Sequence, residues 1–304
     1  MALPLLYRPT PATIDTDIGV TLDGWTAGTH QSDVGDSAAT EWWIIEDGLK
    51  DWNGTPDVRL NGIDRPLDHG QFDAASFYGS RVVTINGVAI CPDKTSALLA
   101  MDVISSVAAW DPSRLYLMQV SEPGRPTRRA MVRLNTATKV GGFNGISFDF
   151  QLQVKAPDPR KYDDTESTIV LQPPTGAAGG ITVPVTVPFS ISTVGLSTSA
   201  GTAVNNGTFP SRPVVTFAGP LVDPVLANLT AGKALGMTIT LAAGDTLVAD
   251  FDRRTLILNG SASRATALTT TSAWWELGLG GNDLMLTAGG GDGTATIRWR
   301  SATI

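Results

Sequence analysis

Two kinds of residue in this chain are spaced to do chemistry: carboxylates two apart, and tryptophans side by side. Asp250 and Asp252 lie in a run expected to be a strand, where residues two apart share a face, and facing carboxylates are the apparatus of glycoside hydrolysis. Arg253 and Arg254 follow them directly, so ion pairing across a hairpin accounts for the same four residues with less invention. Trp274-Trp275 and Trp42-Trp43 offer indoles that could stack on a sugar, although a period of two sends one of each pair inward. The outward member, Trp274 or Trp275, is therefore the candidate contact for a glycan or a partner.

Other chemistry lacks its raw material. His30 and His69 are the only histidines and Cys91 the only cysteine, which leaves no internal disulfide, no multi-cysteine metal site and little from which to build a histidine-centred triad. Asp68-His69-Gly70 reads as a turn. Asp15, Asp17 and Asp23 lack the glycine and terminal glutamate of a calcium loop and read as a solvated acidic loop. No Gly-x-Ser-x-Gly elbow, His-Glu-x-x-His or phosphate loop is present. Gly278, Gly280 and Gly281 match a dinucleotide fingerprint only in letters, since no helical pattern follows. We expect no catalytic residue, no cofactor and no metal.

The frame that must position these residues is rich in turns. The 304 residues include 32 glycines and 19 prolines, with 42% hydrophobic and 17% charged residues, which suits many short strands in a folded protein. The length suits two domains. A net charge of −7 opposes binding to a phosphate backbone or an anionic membrane surface, so no specific nucleic-acid binding is expected. The acidity is uneven: residues 1–165 hold 15 Lys and Arg against 21 Asp and Glu, and residues 166–304 hold 7 against 8. The start of the chain lacks a basic region followed by a long apolar core, and no apolar run reaches membrane-spanning length, so no membrane insertion is expected.

The boundary falls at Ala156-Pro157-Asp158-Pro159-Arg160-Lys161-Tyr162, where two prolines remove backbone donors and hold Asp158 extended. Pro157, Asp158 and Pro159 are the expected interdomain hinge. Residues 1–40 read as an arm or edge segment, and 41–162 as a β domain with one helix, a barrel or a sandwich-like sheet. In it Glu41–Glu46 is a strand stopped by Asp47-Gly48, Pro56–Leu60 a short strand before an Asn61-Gly62 turn, and Arg81–Ile90 a hairpin or one bulged strand. Spacings of three and four through Leu98, Met101, Ile104 and Ala108 predict a helix over 95–110, capped by Asp93 or Ser96, ended by Asp111-Pro112 and buried against a sheet. Strands are expected at Arg114–Val120 and Arg129–Asn135, joined by a proline-rich projecting loop, with Arg125, Arg128 and Arg129 as candidate partner contacts. From Ile146 to Lys155 alternation is unbroken.

Residues 163–304 show no helical period. The run Ile181–Pro188 carries prolines and belongs at an edge. Strands are expected at Pro213–Phe217, Ala234–Leu241, Thr246–Phe251, Thr255–Leu258, Trp274–Leu277, Asp283–Leu286 and Thr294–Trp299, a β-sandwich, jelly-roll or otherwise, with Ile297 and Trp299 facing inward.

The order of these features resembles a known family. The Ala-Pro-Asp-Pro-Arg-Lys-Tyr junction precedes a sandwich containing Gly244-Asp245-x-Leu247-x-x-Asp250, then Arg254-Thr255 and Asn259-Gly260. From about Trp42 to Arg300 this is similar to the distal tail proteins, or minor tail proteins of that type, of long-tailed non-contractile bacteriophages. The resemblance implies a virion protein of the tail tip, made in the host cytoplasm and not an enzyme. It implies a first domain packed into a homo-hexameric ring and a galectin-like second domain outside it. The partners implied are the tail tube protein, the tail hub and tape-measure proteins, and receptor-binding proteins. Two other readings stay open: a two-domain carbohydrate-binding or adhesion protein that meets a cell-wall glycan through Trp274 or Trp275, and a glycosidase using Asp250 or Asp252.

Overall fold

The computed structural model describes residues 14–15, 17–28, 39–174 and 199–304. The run at Ile181–Pro188 and most of the segment 1–40 lie outside them. The chain divides into two compact units, Met1–Asp164 with Ile304, and Thr165–Thr303.

The first unit is built on one long sheet with the strand order Ile14–Asp15, Glu41–Lys50, Arg81–Ile90, Ser147–Ala156, Arg128–Leu134, Tyr116–Ser121, Gly19–Leu22, Trp25–Gly28. The path is open at both ends, so among the described residues it is a folded sheet and not the closed barrel offered as one expectation. Ser147–Ala156 pairs with Arg81–Ile90 over ten consecutive residues. Inward Phe148, Phe150, Leu152 and Val154 join Val83, Ile85, Trp25 and Met118 in the core, so this alternation reads as the sequence predicts. Arg81–Ile90 is one unbroken strand and not a hairpin. Its centre must be glycine, because a Cβ on Gly87 would run into the Phe150 ring and the Trp43 carbonyl.

One expectation fails for a reason of backbone geometry. Glu41–Glu46 does not stop at Asp47-Gly48. The strand runs on to Lys50 through a register shift between Ile44 and Leu49, with Asp47 in the left-handed region at φ 58°. A bulge and a turn want the same residues, and here the bulge wins. Trp25–Gly28 and Gly19–Leu22 form a hairpin about Asp23-Gly24 that buries Val20, Leu22, Trp25 and Ala27.

The helix spans Lys94–Ser106, with Asp93 Oδ1 accepting from the Ser96 amide at 2.8 Å. It ends before Asp111-Pro112, because Ala108 turns left-handed at φ 53°. It is also less buried than its apolar composition predicts. Ala97, Ala100 and Ile104 face the sheet, while Leu98, Leu99 and Val103 are exposed. Small residues let the helix lie close; the larger ones point out.

The second unit is a two-sheet sandwich. One sheet has the order Ser167–Leu171, Thr294–Trp299, Val214–Ala218, Thr246–Asp250, Thr255–Leu258, Ala262–Ser263, and the other Ala200–Asn205, Gly280–Thr287, Val225–Asn228, Lys233–Gly236. Leu171, Phe217, Leu226, Leu247, Leu284 and Ile297 belong to the core of this unit. Trp299 is buried and donates its indole N–H to the Val204 carbonyl at 2.9 Å. Among the described residues Trp274–Leu277 joins no sheet as a strand; its β-bridge is Ser211 to Leu277. The alternation there is real, but no described strand pairs with it in a ladder.

Candidate functional site

The carboxylates expected to share a face have structural work instead. Asp250 Oδ1 accepts from the amides of Asp252 at 2.9 Å and Arg253 at 3.0 Å, which shapes the turn. Asp252 pairs with Arg212 at 2.6 Å, and Arg212 Nε also donates to Glu276 at 2.7 Å. The expected pairing with Arg253 is a loose 3.9 Å contact to Asp250, and Arg254 has none among the described residues. The main partner, Arg212, arrives from a distant strand flank and leaves no local sign in the sequence. Asp68 Oδ1 accepts from the His69 amide and its other oxygen lies 3.6 Å from Arg65, a turn as predicted. Asp23 caps the chain beyond the helix by accepting from the Ala108 amide at 3.3 Å. Among the described residues no group of three or more His, Cys, Asp or Glu could hold a metal ion. No described helix is long and apolar enough to cross a membrane.

The Gly244-Asp245 to Asn259-Gly260 motif in the sandwich proves to be a turn lock. Asp245 Oδ1 accepts from the Asn259 side-chain amide at 2.9 Å, Asp245 Oδ2 accepts from the Ala242 amide at 2.9 Å, and Asn259 Oδ1 accepts from the Thr246 amide at 2.9 Å. The hydrogen bond from Asn259, then that from Ala242, holds the Asp245 carboxyl below its usual range. Gly244, Asn259 and Gly260 all have positive φ, a backbone that glycine and asparagine adopt at the least cost.

Residues 56–79 form an arm that sequence reasoning folded into the domain. Val58–Arg59 pairs with Phe77–Tyr78, and Ile63–Asp64 with Gln71–Phe72, so two short rungs climb to a tip at Asp68-His69-Gly70. Strands of two residues carry no periodicity, and the sequence shows only the turns. Val58, Leu60, Ile63, Leu67, Phe72 and Phe77 are all exposed, Leu67 completely. Exposed apolar groups in such number mark a surface that something else covers.

The root of this arm is held by buried cations. Arg81 donates through Nη1 to the carbonyls of Asp51 (2.9 Å), Trp52 (3.0 Å) and Gly54 (2.6 Å), and through Nε to Pro159 (3.1 Å). Lys161, 2% exposed, donates to the Trp52 carbonyl at 2.9 Å and lies 5.6 Å from the centre of that indole. Among the described residues no carboxylate lies within salt-bridge reach of either. Burial, and after it the charges of Arg81 and Arg128, bring the Lys161 ammonium down to about 8.

Pro157, Asp158 and Pro159 sit against this root. Asp158 Oδ1 accepts from the Arg160 amide at 3.1 Å and Oδ2 from the Tyr162 hydroxyl at 2.7 Å. Tyr162 pairs with Arg129 in the first unit's sheet, and the unit boundary falls later, between Asp164 and Thr165. The three arginines are engaged within their own unit. Arg125 donates to Asn53 at 3.1 Å and lies 3.6 Å from Glu122, Arg129 lies 3.4 Å from Asp164, and Arg128 stands opposite Asp163 in the ladder.

Of the two candidate tryptophans, Trp275 is 1% exposed and belongs to the core, while Trp274 is half-buried and meets Phe251 edge-on at 5.1 Å. Both line a depression of about 390 Å³ with Arg212, Lys233, Arg254 and Glu276.

Residues 206–302 match the family model described as siphovirus-type tail component, C-terminal domain. Among solved structures the SPP1 Dit (gp 19.1) protein, described as a paradigm of the hub adsorption apparatus in phages infecting Gram-positive bacteria, is similar with a TM-score of 0.64 at 12% identity, covering 94% of this chain and 99% of that one. At that identity the likeness is one of fold. A chain of the phage P2 baseplate in its activated conformation with Ca aligns at 8% identity over 93% of this chain and 97% of its own, with a TM-score of 0.44 too slight to argue from. No curated protein matches. The mainly β fold and the resemblance to siphovirus tail-tip proteins are thus borne out.

Proposed function

We propose that this chain is a structural protein of a phage tail tip, and that copies of it join through the first unit into a ring, six in number by family resemblance. The ring sits in the virion between the tail tube and the tail hub, with the tape-measure protein and the receptor-binding proteins as its other neighbours. The family match over residues 206–302 and the shared fold support the tail-tip role.

The observation that carries the assembly reading is the apolar arm. Its six large exposed side chains amount to several hundred Å², the order of the ~800 Å² that one partner contributes to a stable interface. A head-to-tail ring needs two different patches on each copy. The first unit has the arm and, separately, the helix face of Leu98, Leu99 and Val103.

Light scattering and negative-stain microscopy of the purified chain test this, with a closed ring of about six copies expected. A monomer that persists at high concentration overturns it.

A further inference from the structure

We infer that the depression beside Trp274 in the second unit binds an acidic saccharide, a sugar ring carrying a carboxylate or a phosphate. The site is independent of the ring, since every lining residue belongs to the sandwich.

The argument begins with charge. Residues 166–304 contain only seven Lys and Arg, and three of them, Arg212, Lys233 and Arg254, converge on this one depression. Glu276 is the lone carboxylate in its lining, and it is already satisfied by Arg212 Nε at 2.7 Å. Asp252 takes the same guanidinium at 2.6 Å. Two carboxylates thus fix Arg212 in place, while among the described residues Lys233 and Arg254 have no acidic partner within salt-bridge distance and stand exposed at the rim. In a chain of net charge −7 this is a local positive site, and its natural complement is an anion.

The walls say what kind of anion. Trp274 presents a partly exposed indole that packs against Phe251 at near right angles, with ring centres 5.1 Å apart. An aromatic ring suits the C–H face of a sugar. Beside it the Arg212–Glu276 pair sets a donor next to an acceptor, the combination that neighbouring sugar hydroxyls need. Trp275 closes the depression, and its buried indole N–H has no hydrogen-bond partner among the described residues. Arg254 holds φ at 54°, an unfavoured backbone for a residue other than glycine, and such strain gathers at ligand clamps. The volume of about 390 Å³ is at the small end of the ~300–1,000 Å³ of ligand pockets, enough for one or two sugar rings.

The test uses the full chain, titrated by calorimetry and tryptophan fluorescence with three probes: a hyaluronan tetrasaccharide for the carboxylate, glucose 6-phosphate for the phosphate, and maltotetraose as the neutral ring. At least one acidic probe should bind about tenfold or more tightly than maltotetraose, and which one binds identifies the source of the anion. Lys233→Ala with Arg254→Ala, both exposed and so harmless to the fold, should weaken that binding about tenfold and flatten its salt dependence. Trp274→Ala should abolish it along with the fluorescence change. Equal affinity for maltotetraose, no binding of either acidic probe at millimolar concentration, or binding that survives the rim variant overturns the inference. Because the rim variant keeps the core intact, it decides the matter even if Trp274→Ala fails to fold.

Discussion

The two units treat their apolar side chains in opposite ways. Of the seventeen large hydrophobic residues exposed among the described residues, thirteen belong to the first unit and four to the second. Both have a well-buried core, so the difference does not come from poor packing. The first unit holds apolar groups out on an arm and a helix face, whereas the second leaves few large apolar side chains exposed among its described residues. On the assembly proposed above, a unit of the first kind is completed by its neighbours, and one of the second kind needs no such cover.

The comparison can be broken at its strongest point first. Trp299→Ala should cost the second unit on the order of 3–5 kcal/mol, read by chemical denaturation, while rings built through the first unit still form. Loss of rings in that variant under native conditions would show that the sandwich also takes part in assembly. Next, Leu67→Ser, Phe72→Ser and Phe77→Ser together should turn rings into monomers that melt close to the native monomer, because Leu67 is fully exposed, Phe72 and Phe77 are more than half exposed, and none of the three belongs to the core. A melting temperature well below that of the native chain diluted until its rings dissociate would mean that the arm packs on its own unit.

The third prediction concerns pH. The Lys161 ammonium is depressed to about 8 in the fold from 10.5. Below pH 8 it is charged in both states and the cost of burying it is fully present. Above pH 8 the folded state releases its proton first, so this group's contribution to stability rises until about pH 10.5, by at most ~3 kcal/mol. The stability difference between the native chain and Lys161→Met should shift in favour of the native chain across that window, and a difference that stays flat would contradict the assignment. The smallest effect expected is for Asp93→Ala, which removes the helix cap and should cost about 1 kcal/mol in an equilibrium melt.

What could be read from the sequence follows the length of the elements. Ser147–Ala156 has five inward residues in strict alternation, and Thr294–Trp299 is equally plain. The arm was not legible as an arm, because each of its strands is two residues long. The Trp25 hairpin is hard to see although Asp23-Gly24 is a turn signal, since Asp15, Asp17 and Asp23 read together as an acidic cluster. Trp274 was visible as a candidate and its depression was not. Arg212, Lys233 and Arg254 are far apart in the chain, and only the sandwich brings them to one place. The burial of Lys161 was equally hidden, for a lysine next to a proline-rich junction looks like solvent-facing chain.

The cations under the arm have a mechanical consequence. Arg81 and Lys161 grip main-chain oxygens and not carboxylates, so dissolved ions have no counter-charge to compete for, and acid has no carboxylate to neutralise. A particle carried from fresh water into brine, or into a mildly acidic niche, would therefore keep this lever pointing in the same direction.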